Sequence, residues 1–541
     1  MSNFFYRTED IKPDEVHNYF VESNEDRKII ESLKDVPPVI LVGSRGVGKS
    51  FLFRMAQYEL NKDFESKKIL PVYVTFRGSC LIDRSNQGQF HKWMLAKICN
   101  EILRALRKRG LMSLTLETTR SLSGDNQIFE DTETSFEKIA KAFENSWKTQ
   151  SSVINTAILP DIDVFLNAIE DICEELGIQR IKIFIDEAAH VFIAEQQRQF
   201  FTLYRDLRSP YLTCNAAVYP GVTVYGDSFQ PSHDAVMINL SRDVQEENYL
   251  RTMKEIVLKQ SEGDKLAKII SERGENFKIL AYAASGNPRH LLKTITKAQN
   301  LTSKNVNNIF RDYYRVDIWS EHSQLAEKYS GHKSLIDWGR NFIEDEVLPS
   351  IKEKNDSRLT IVELAKKSSS SYFWVHRDVP ENIKNSLRLL EYTGILKENG
   401  SGIKGTRKQV GNRYFVNLGL LLSLESTPTS NGLEIINFLS PRIPTEYGIN
   451  NKLYKEIEDL NIDIKNSELS TILKDLLAKK INVLDLPKWQ TDELKKIGMT
   501  TIEDILRASE DRFKEIFMVG EIRARRISNS AKSAVYEYLS D

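Results

Sequence analysis

Short apolar runs alternate with longer amphipathic stretches along the first half of the chain. Five runs are rich in β-branched and aromatic residues, which is typical of strands buried on both faces: 39–42, 69–76, 181–185, 212–219 and 235–240. Between and around them, apolar residues recur at helical spacing near 90–108, 163–176 and 194–207. This alternation predicts an α/β fold with a five-stranded parallel sheet and helices on both faces.

The first predicted strand runs directly into a glycine-rich loop. Residues 39–50 read VILVGSRGVGKS, which fits G-x-x-x-x-G-K-[ST] between a strand and a helix. Glycines let the backbone N–H groups face anionic oxygens, and the helix N-terminus adds its positive dipole end. The predicted nucleotide-binding residues are Gly43, Ser44, Arg45, Gly46, Val47, Gly48, Lys49, Ser50 and Phe51. Lys49 is expected on the β- and γ-phosphates, and the Ser50 hydroxyl is expected on Mg²⁺.

The third predicted strand is followed directly by two carboxylates. The stretch Ile181 to Ile185 leads into Asp186 and Glu187. Such a pair suits Mg²⁺-assisted hydrolysis, because one carboxylate can hold the metal through water while the other deprotonates the attacking water. The sequence therefore predicts Asp186 as a metal residue and Glu187 as the catalytic base of an ATPase.

Composition limits the other classes of protein. The 541 residues carry a net charge of −1, so any nucleic-acid surface must be local. The four cysteines are far apart without a C-x-x-C, which fits a reducing, cytoplasmic setting. There is no signal-peptide pattern, and no apolar run approaches the roughly 18 residues of a membrane helix. We therefore expect three or four domains and no membrane partner.

Residues 286–289 read GNPR, after helical segments over 243–300. Asn287 suits an N-cap and Pro288 the first helical position. Together with GSRGVGKS and IFIDE, this motif resembles the AAA+ ATPases, in the branch of origin-recognition-complex-like initiators and related bacterial ATPases. The resemblance implies a P-loop core over 1–242 and a helical lid over 243–330. Within the core, residues 110–155 are rich in Ser, Thr and acidic residues and are expected to form a mobile insertion or a partner-facing loop. The resemblance also implies that Arg289 is the sensor 2 arginine on the γ-phosphate.

Two elements of that family are less plain in this sequence. In that family sensor 1 is usually a polar residue at the end of the fourth strand. Here the predicted strand ends at Tyr219 and Pro220 and holds Asn215 near its middle, which makes Asn215 the candidate. The arginine finger normally precedes the fifth strand, yet no arginine lies between Arg208 and that strand. Arg208, Arg205 and Arg242 are the substitutes, and ring formation as a homo-oligomer stays open.

The second half resembles a winged helix over 331–424. Its second helix is expected at 361–367, its third at 380–392, and its strands at 395–398 and 413–418. The wing GSGIKGTRKQVGN lies between them, and residues 397–413 hold five basic residues against one acidic residue. The predicted DNA-contacting residues of this module are Lys404, Arg407, Lys408 and Arg413. A protein-binding winged helix is the alternative.

Residues 425–432 read as a linker, within a connector over 425–483. Beyond it, 484–541 resembles a tandem helix-hairpin-helix unit, with Gly498 and Gly520 in its two hairpins. Such hairpins offer backbone N–H groups to a DNA phosphate. The expected DNA-binding residues are Gly520, Arg523, Arg525 and Arg526. A helical module that docks a protein is the alternative here as well.

These features predict an ATP- and Mg²⁺-dependent, DNA-associated AAA+ ATPase that binds duplex DNA and remodels it or recruits a protein partner. One rival is a signal-transducing ATPase switch, as in bacterial defence, whose C-terminal modules sense nucleic acid or protein. Another is a non-catalytic regulator that uses ATP structurally, which the intact Asp186 and Glu187 disfavour.

Overall fold

The computed structural model describes residues 4–76, 89–127, 132–144, 154–188, 194–226, 228–261, 264–328, 332–406, 408–458, 477–484 and 486–539. By backbone contacts the chain divides into two compact units. The first comprises Met1–Arg242 and Arg251–Gly263, and the second comprises Asp243–Leu250 and Asp264–Asp541.

The first unit is built on a five-stranded sheet. Its strands are β1 (Val39–Val42), β2 (Ile69–Thr75), β3 (Arg180–Asp186), β4 (Leu212–Val218) and β5 (Val236–Asn239). They are all parallel, in the order β2-β3-β4-β1-β5. The predicted fold class is confirmed. Because parallel strands share a direction, their carboxyl ends meet at one edge of the sheet.

Ten helices of the described residues accompany this sheet: α1 (Val16–Tyr19), α2 (Asn24–Lys34), α3 (Lys49–Lys62), α4 (Phe64–Lys67), α5 (Gln89–Lys108), α6 (Leu116–Ser123), α7 (Ser135–Glu144), α8 (Ile162–Glu175), α9 (Ala194–Asp206) and α10 (Pro231–Asp234). Successive strand residues face opposite layers, as the period of two requires. Ile183 and Ile185 join one core with Trp93 of α5, whereas Phe184 joins the other with Phe53 of α3.

The segment 110–155 was expected to be a mobile or partner-facing insertion. Its described part instead contains α6 and α7, whose apolar faces are buried in the core of the first unit. Leu122, Phe136 and Phe143 have no exposed surface and belong to the same cluster as Trp93. Burial of these large side chains removes them from water and anchors both helices. Residues 128–131 and 145–153 lie outside the described residues.

The second unit begins with a helical region. After α11 (Tyr249–Lys259), which crosses the boundary between the units, come α12 (Lys265–Glu272), α13 (Gly274–Ala283), α14 (Pro288–Ala298) and α15 (Ser303–Ile309). A π-helical stretch, Phe310–Asp317, joins α15 to α16 (Ile318–Lys328). Then α17 (Lys333–Asn341) passes through a second π-helical stretch, Phe342–Val347, into α18 (Leu348–Leu359).

A four-stranded sheet follows, with β6 (Tyr372–His376), β7 (Leu396–Lys404), β8 (Val410–Val416) and β9 (Thr445–Tyr447) in the order β7-β8-β6-β9. Helix α19 (Glu381–Thr393) matches the predicted third helix of a winged helix. The predicted second helix is wrong, because residues 361–367 form a single 3₁₀ turn, Leu364–Lys366. Val362 and Leu364 there are 97% and 70% exposed, so no partner layer stabilises a helix.

The predicted linker at 425–432 is also wrong in part. The short α20 (Leu418–Leu422) is followed by α21 (Pro428–Asn437), with Pro428 at its first position. Strand β9 then pairs in parallel with β6, so the connector completes the sheet of the preceding module. After α22 (Lys455–Glu458), residues 459–476 lie outside the described residues.

The C-terminal helices are α23 (Lys488–Lys496), α24 (Ile502–Arg507), α25 (Glu510–Lys514) and α26 (Glu521–Leu539). They share one apolar cluster that includes Leu494, Ile502, Phe513 and Ile527. This all-helical region agrees with the expected tandem hairpins. In the described part of the chain, no helix is long and apolar enough to cross a membrane.

Candidate functional site

The glycine-rich loop joins β1 to α3 at the carboxyl edge of the first sheet. Gly46 and Gly48 have φ of +84° and +109°, a conformation that side chains with a Cβ rarely adopt. Helix α3 begins at Lys49, so the loop ends on a helix N-terminus as predicted. The Lys49 ammonium donates to the carbonyl oxygens of Gly43 and Ser44 and lies 4.1 Å from the centre of the Tyr219 ring.

Tyr219 was not predicted as a site residue. It directly follows β4 and is 7% exposed, and its ring contributes a cation–π contact to the lysine of the loop. The sequence signal that reveals it is its position after the fourth strand, where the chain reaches the carboxyl edge of the sheet. The Tyr219 ring and the carbonyls of Gly43 and Ser44 together hold the Lys49 ammonium against the glycine-rich loop.

Arg242 was considered as a substitute arginine finger, but the structure gives it another role. Its Nη1 donates to the Val47 carbonyl at 2.5 Å, and its Nη2 lies 3.4 Å from Asp26 Oδ1. Asp26 is also the third residue of the capping box of α2, where it accepts from Ser23. Arg242 therefore ties the glycine-rich loop of its own chain to the start of α2.

The two predicted carboxylates lie at the end of β3. Asp186 Oδ2 accepts a 2.5 Å hydrogen bond from the Tyr73 hydroxyl on β2, and Asp186 Oδ1 accepts from the Glu187 backbone N–H at 2.9 Å. Burial and the Asp186 charge raise the pKa of Tyr73 well above its usual value, so the hydroxyl stays a donor. The Arg54 guanidinium lies 3.4 Å from the centre of the Tyr73 ring. Tyr73 thus orients Asp186.

Glu187 leaves the strand in a left-handed conformation, with φ of +57°. Residues other than glycine seldom adopt it, and such backbone strain concentrates at functional sites. In the sheet, Ile185 is level with Ala216, which is level with Ile40. The next residue, Asp186, is therefore level with Leu41, one residue before the end of β1. Strand β4 separates β3 from β1, and two strand spacings of about 10 Å leave room for a phosphate and a water.

Asn215, the sensor 1 candidate, is the middle residue of β4 and is level with Val39 at the start of β1, away from the loop that follows β1. Its Nδ2 donates to the Leu33 carbonyl and its Oδ1 accepts from the Val39 backbone N–H, both near 3 Å. Val39 is the first residue of β1, whereas the glycine-rich loop follows the last. Asn215 has no exposed surface, so its amide satisfies buried backbone groups at the amino edge of the sheet.

Arg205 and Arg208 also lie at the amino edge, at the end of α9. Arg205 pairs with Asp206 at 2.8 Å and donates to the Ser228 carbonyl at 2.8 Å. Arg208 lines a cavity together with Pro38, which precedes β1, and Leu212, which is the first residue of β4. Neither arginine is near the glycine-rich loop of its own chain, and a role in a neighbouring copy stays a prediction.

Arg289 lies where the sequence predicted, in the first turn of α14. The Asn287 side chain caps that helix by accepting from the Arg289 and His290 backbone N–H groups, at 3.1 and 3.4 Å. Arg289 belongs to the second unit, and its contact with a γ-phosphate stays a prediction.

The residues at the carboxyl edge fit the ion that the motifs imply. Mg²⁺ prefers hard oxygen ligands and retains water, and Ser50 and Asp186 supply a hydroxyl and an oriented carboxylate. Among the described residues, no group of three or more His, Cys, Asp or Glu side chains could hold a metal on its own.

A family model named ORC-CDC6-like matches residues 3–388, well over half of the chain. The chain belongs to this family. No curated relative matches the sequence. Among solved structures, the chain is similar to the Orc1 protein of Aeropyrum pernix in complex with DNA, with 12% identity, 78% of this chain and 98% of that chain covered, and a TM-score of 0.33.

It is also similar to AMPPCP-bound DnaA from Aquifex aeolicus, with 12% identity and a TM-score of 0.27. This match covers 62% of this chain and 84% of the DnaA chain. A RuvB variant from Thermotoga maritima has 13% identity to this chain and a TM-score of 0.26. This match covers 55% of this chain and 72% of the RuvB chain. At these values the similarities carry no inference about function. Membership of the ORC-CDC6-like family places the first unit among the AAA+ ATPases.

The hairpin of β7 and β8, where the sequence predicted a wing, has a shorter tip than predicted, because both strands extend into it. Strand β7 continues to Lys404 and β8 begins at Val410, which leaves the tip at 405–409. Thr406 donates to Glu446 Oε1 from both its backbone N–H and its hydroxyl, at 2.7 Å each. Lys404 and Lys408 are exposed beside this anchored tip, and Arg407 lies outside the described residues.

Arg413 is a correction to the predicted DNA surface. Its Nε donates to Asn399 Oδ1 at 3.1 Å, and its Nη1 donates to the Pro441 carbonyl at 3.0 Å. Its guanidinium also lies 5.6 Å from the centre of the Tyr372 ring. The Arg413 guanidinium therefore connects β8 to Asn399 on β7 and to the Pro441 carbonyl. These contacts lie within the four-stranded sheet and its connector, not with DNA.

The two C-terminal hairpins differ from each other. In the first hairpin, Gly498 has φ of +85°. The backbone N–H groups of Thr500 and Thr501 both donate to Asp504 Oδ2, at 2.8 Å each. The Asp504 carboxylate thus pairs with two backbone donors that the sequence analysis expected to face a DNA phosphate. These two donors are therefore already used within the chain.

In the second hairpin, Met518 rather than Gly520 takes the left-handed conformation, with φ of +64°. Phe517, Met518 and Ile522 are 82%, 65% and 60% exposed there. Arg523 donates to the Met518 carbonyl at 2.5 Å and Arg525 lies 4.0 Å from Glu510, whereas Arg526 is exposed. This hairpin presents apolar side chains beside its arginines, which the sequence reading did not foresee.

Proposed function

We propose that this ORC-CDC6-like chain binds ATP with Mg²⁺ and hydrolyses it. One observation carries the proposal: the glycine-rich loop with Lys49 and the carboxylates Asp186 and Glu187 meet at the same edge of one sheet, a strand apart. The loop N–H groups would hold the phosphates, Ser50 and Asp186 would hold the metal, and Glu187 would take a proton from water. The bound ion would supply charge neutralisation on the phosphates.

In this mechanism, Lys49 exchanges its carbonyl partners for phosphate oxygens when nucleotide enters. Its present contacts, the carbonyls of Gly43 and Ser44, are neutral acceptors, and a charged phosphate is a stronger one. Arg242 keeps the loop in place during this exchange, because it bonds the loop backbone at Val47 and not the ligand side.

The test separates binding from chemistry. Glu187→Gln should bind ATP normally and hydrolyse it about 10²–10⁴-fold more slowly, because the base is lost while the phosphate loop remains. Lys49→Ala should weaken binding itself. Glu117→Gln, an exposed position on α6, is the matched control and should leave both unchanged. Full turnover by Glu187→Gln would refute the assignment of the base.

We further propose that ATP binding is coupled to duplex DNA binding, remodelling or partner recruitment through the second unit. The exposed Lys404 and Lys408 beside an anchored wing support contacts to the DNA backbone. Lys404→Gln with Lys408→Gln should reduce affinity for all sequences and flatten the salt slope by about one per lost contact. Lys495→Gln, an exposed lysine near the first hairpin, provides the comparison. An unchanged salt slope in the double variant would remove the wing from the DNA surface.

A second candidate function is an ATPase switch whose C-terminal module docks a protein. The exposed Phe517, Met518 and Ile522 of the second hairpin favour it, because large apolar side chains grouped on a surface are typical of protein contacts. ATP turnover measured with and without duplex DNA distinguishes the two. Stimulation by DNA supports the DNA-coupled function, and indifference to DNA supports the switch.

A further inference from the structure

A second concave site lies at the edge of the core sheet opposite the glycine-rich loop. It is a cavity of about 150 Å³, lined among others by Pro38, Arg180, Leu212 and Asp234. Pro38 precedes β1 and the loop follows it, so the two sites are separated by a four-residue strand, or roughly 13 Å. We call this cavity the basal pocket.

Positive charge exceeds negative charge in the lining of the basal pocket. Three arginines, Arg180, Arg205 and Arg208, line it, and Asp234 is the one carboxylate among its lining residues. Asp234 already accepts from the Gln230 backbone N–H at 2.6 Å. The lining therefore holds more cationic groups than its own carboxylate can balance.

The three guanidinium groups differ in how far they are already used. That of Arg205 is engaged by Asp206 and the Ser228 carbonyl. Arg180 donates one hydrogen bond, to Thr213 Oγ1 at 3.3 Å. Within the residues that the structure describes, Arg208 makes no hydrogen bond or ion pair. Two guanidinium groups in the lining of one cavity, those of Arg180 and Arg208, thus retain donors.

A buried lysine adds to the same concentration of charge. Lys182 on β3 is level with Thr213 on β4, has no exposed surface, and donates to the Asp35 carbonyl. Burial and the neighbouring Arg180 charge lower the pKa of Lys182 to about 8. Lys182 is not one of the lining residues, so it adds positive charge behind Thr213, which does line the pocket, and an anion there would reduce the repulsion among these cations.

We propose that the basal pocket binds a small phosphate-type anion, such as inorganic phosphate or pyrophosphate. Guanidinium groups match the geometry of phosphate oxygens and bond them in pairs. The volume suits an anion of this size and is smaller than the about 300–1,000 Å³ of pockets for drug-sized ligands. Pro38 and Leu212 give the pocket an apolar wall beside these cationic groups.

The test is calorimetric titration of the full chain carrying Lys49→Ala, which weakens the competing glycine-rich loop. Phosphate and then pyrophosphate are titrated at an ionic strength held constant with chloride. We expect saturable binding at one site. Arg208→Gln in this background should weaken it about tenfold, because one charge-assisted contact is lost. Arg208→Lys should fall between the two, since it keeps the charge and loses the paired donors.

Two controls make the outcome decisive. Arg205→Gln should change the affinity by no more than about twofold, because its guanidinium is already engaged by Asp206. Arg104→Gln, at a side chain 79% exposed on α5, removes the same charge elsewhere and should have no effect. The proposal is overturned by an absence of saturable binding, by equal affinity in Arg208→Gln, or by an equal loss in Arg104→Gln. If phosphate still binds at the glycine-rich loop, that binding does not depend on Arg208. Binding that is unaffected by Arg208→Gln would therefore count against the basal pocket.

Discussion

Single side chains at the candidate active site are held by neighbours from other elements, and this determines which substitutions matter. Asp186 is oriented by the Tyr73 hydroxyl on β2 and by the Glu187 backbone N–H. Lys49 is held by two loop carbonyls and the Tyr219 ring. Groups that orient a metal-binding carboxylate commonly affect activity or metal affinity 10–100-fold. The supporting residues are thus as testable as the motif residues.

Tyr73→Phe should lower ATP hydrolysis about tenfold and raise the Mg²⁺ concentration needed for half-maximal rate, because Asp186 loses the donor that fixes its orientation. ATP binding without Mg²⁺ should stay unchanged. The measurement is turnover across an Mg²⁺ series, with Tyr58→Phe as the control, since Tyr58 stacks on His17 away from the carboxylates. An unaltered Mg²⁺ dependence in Tyr73→Phe would show that the hydrogen bond does not position the metal residue.

At the scale of elements, α19 carries a buried acid whose titration governs the stability of its module. Glu391 is 5% exposed, and its Oε1 accepts from the Glu398 backbone N–H at 2.6 Å. Burial, with the nearby Glu398 charge, raises the pKa of Glu391 to about 8. Between about pH 4.5 and 8 the folded state therefore holds a proton that the unfolded state has released, so the free energy of unfolding falls as the pH rises.

Glu391→Gln keeps the acceptor and removes the ionisable group. At pH 8 the variant should be more stable than the wild type by roughly 1–4 kcal/mol, and near pH 4.5 the difference should vanish. Denaturant unfolding at both pH values measures it, with the exposed Glu353→Gln on α18 expected to show no pH-dependent difference. A variant less stable than the wild type at pH 8 would contradict a protonated Glu391.

At the scale of the whole molecule, the proposed function requires that nucleotide state alters DNA affinity. A ligand shifts such an equilibrium only by its difference in affinity for the two states. The family resemblance assigns Arg289 to the γ-phosphate, and we predict that Arg289→Ala binds ATP nearly normally, hydrolyses it more slowly, and has equal DNA affinity with ATP and ADP.

DNA affinity is measured at one fixed salt concentration with ATP, with ADP and without nucleotide, in the wild type and in Arg289→Ala. Arg311→Ala, an exposed arginine in the π-helical stretch after α15, provides the control and should behave as the wild type. If wild-type affinity is the same in all three conditions, nucleotide state and DNA binding are not coupled.

The sequence by itself determined the parts of this protein that depend on local pattern. The five strands, the glycine-rich loop, the carboxylates after β3 and the Asn287 cap of α14 follow from hydrophobic period, glycine spacing and capping chemistry over a few residues. Each of these is fixed by neighbours in the chain, so the residue pattern carries the information. The AAA+ assignment and the family followed from them.

Only the tertiary structure decided which polar residues serve the site and which serve the fold. Asn215, Arg242 and Arg413 looked like ligand-contacting residues, yet their partners are backbone groups and side chains distant in sequence. The same holds for Tyr73 and Tyr219, whose proximity to Asp186 and Lys49 depends on strand order. A donor's partner is set by which segments the fold brings within about 3 Å, and spacing along the chain does not encode that distance.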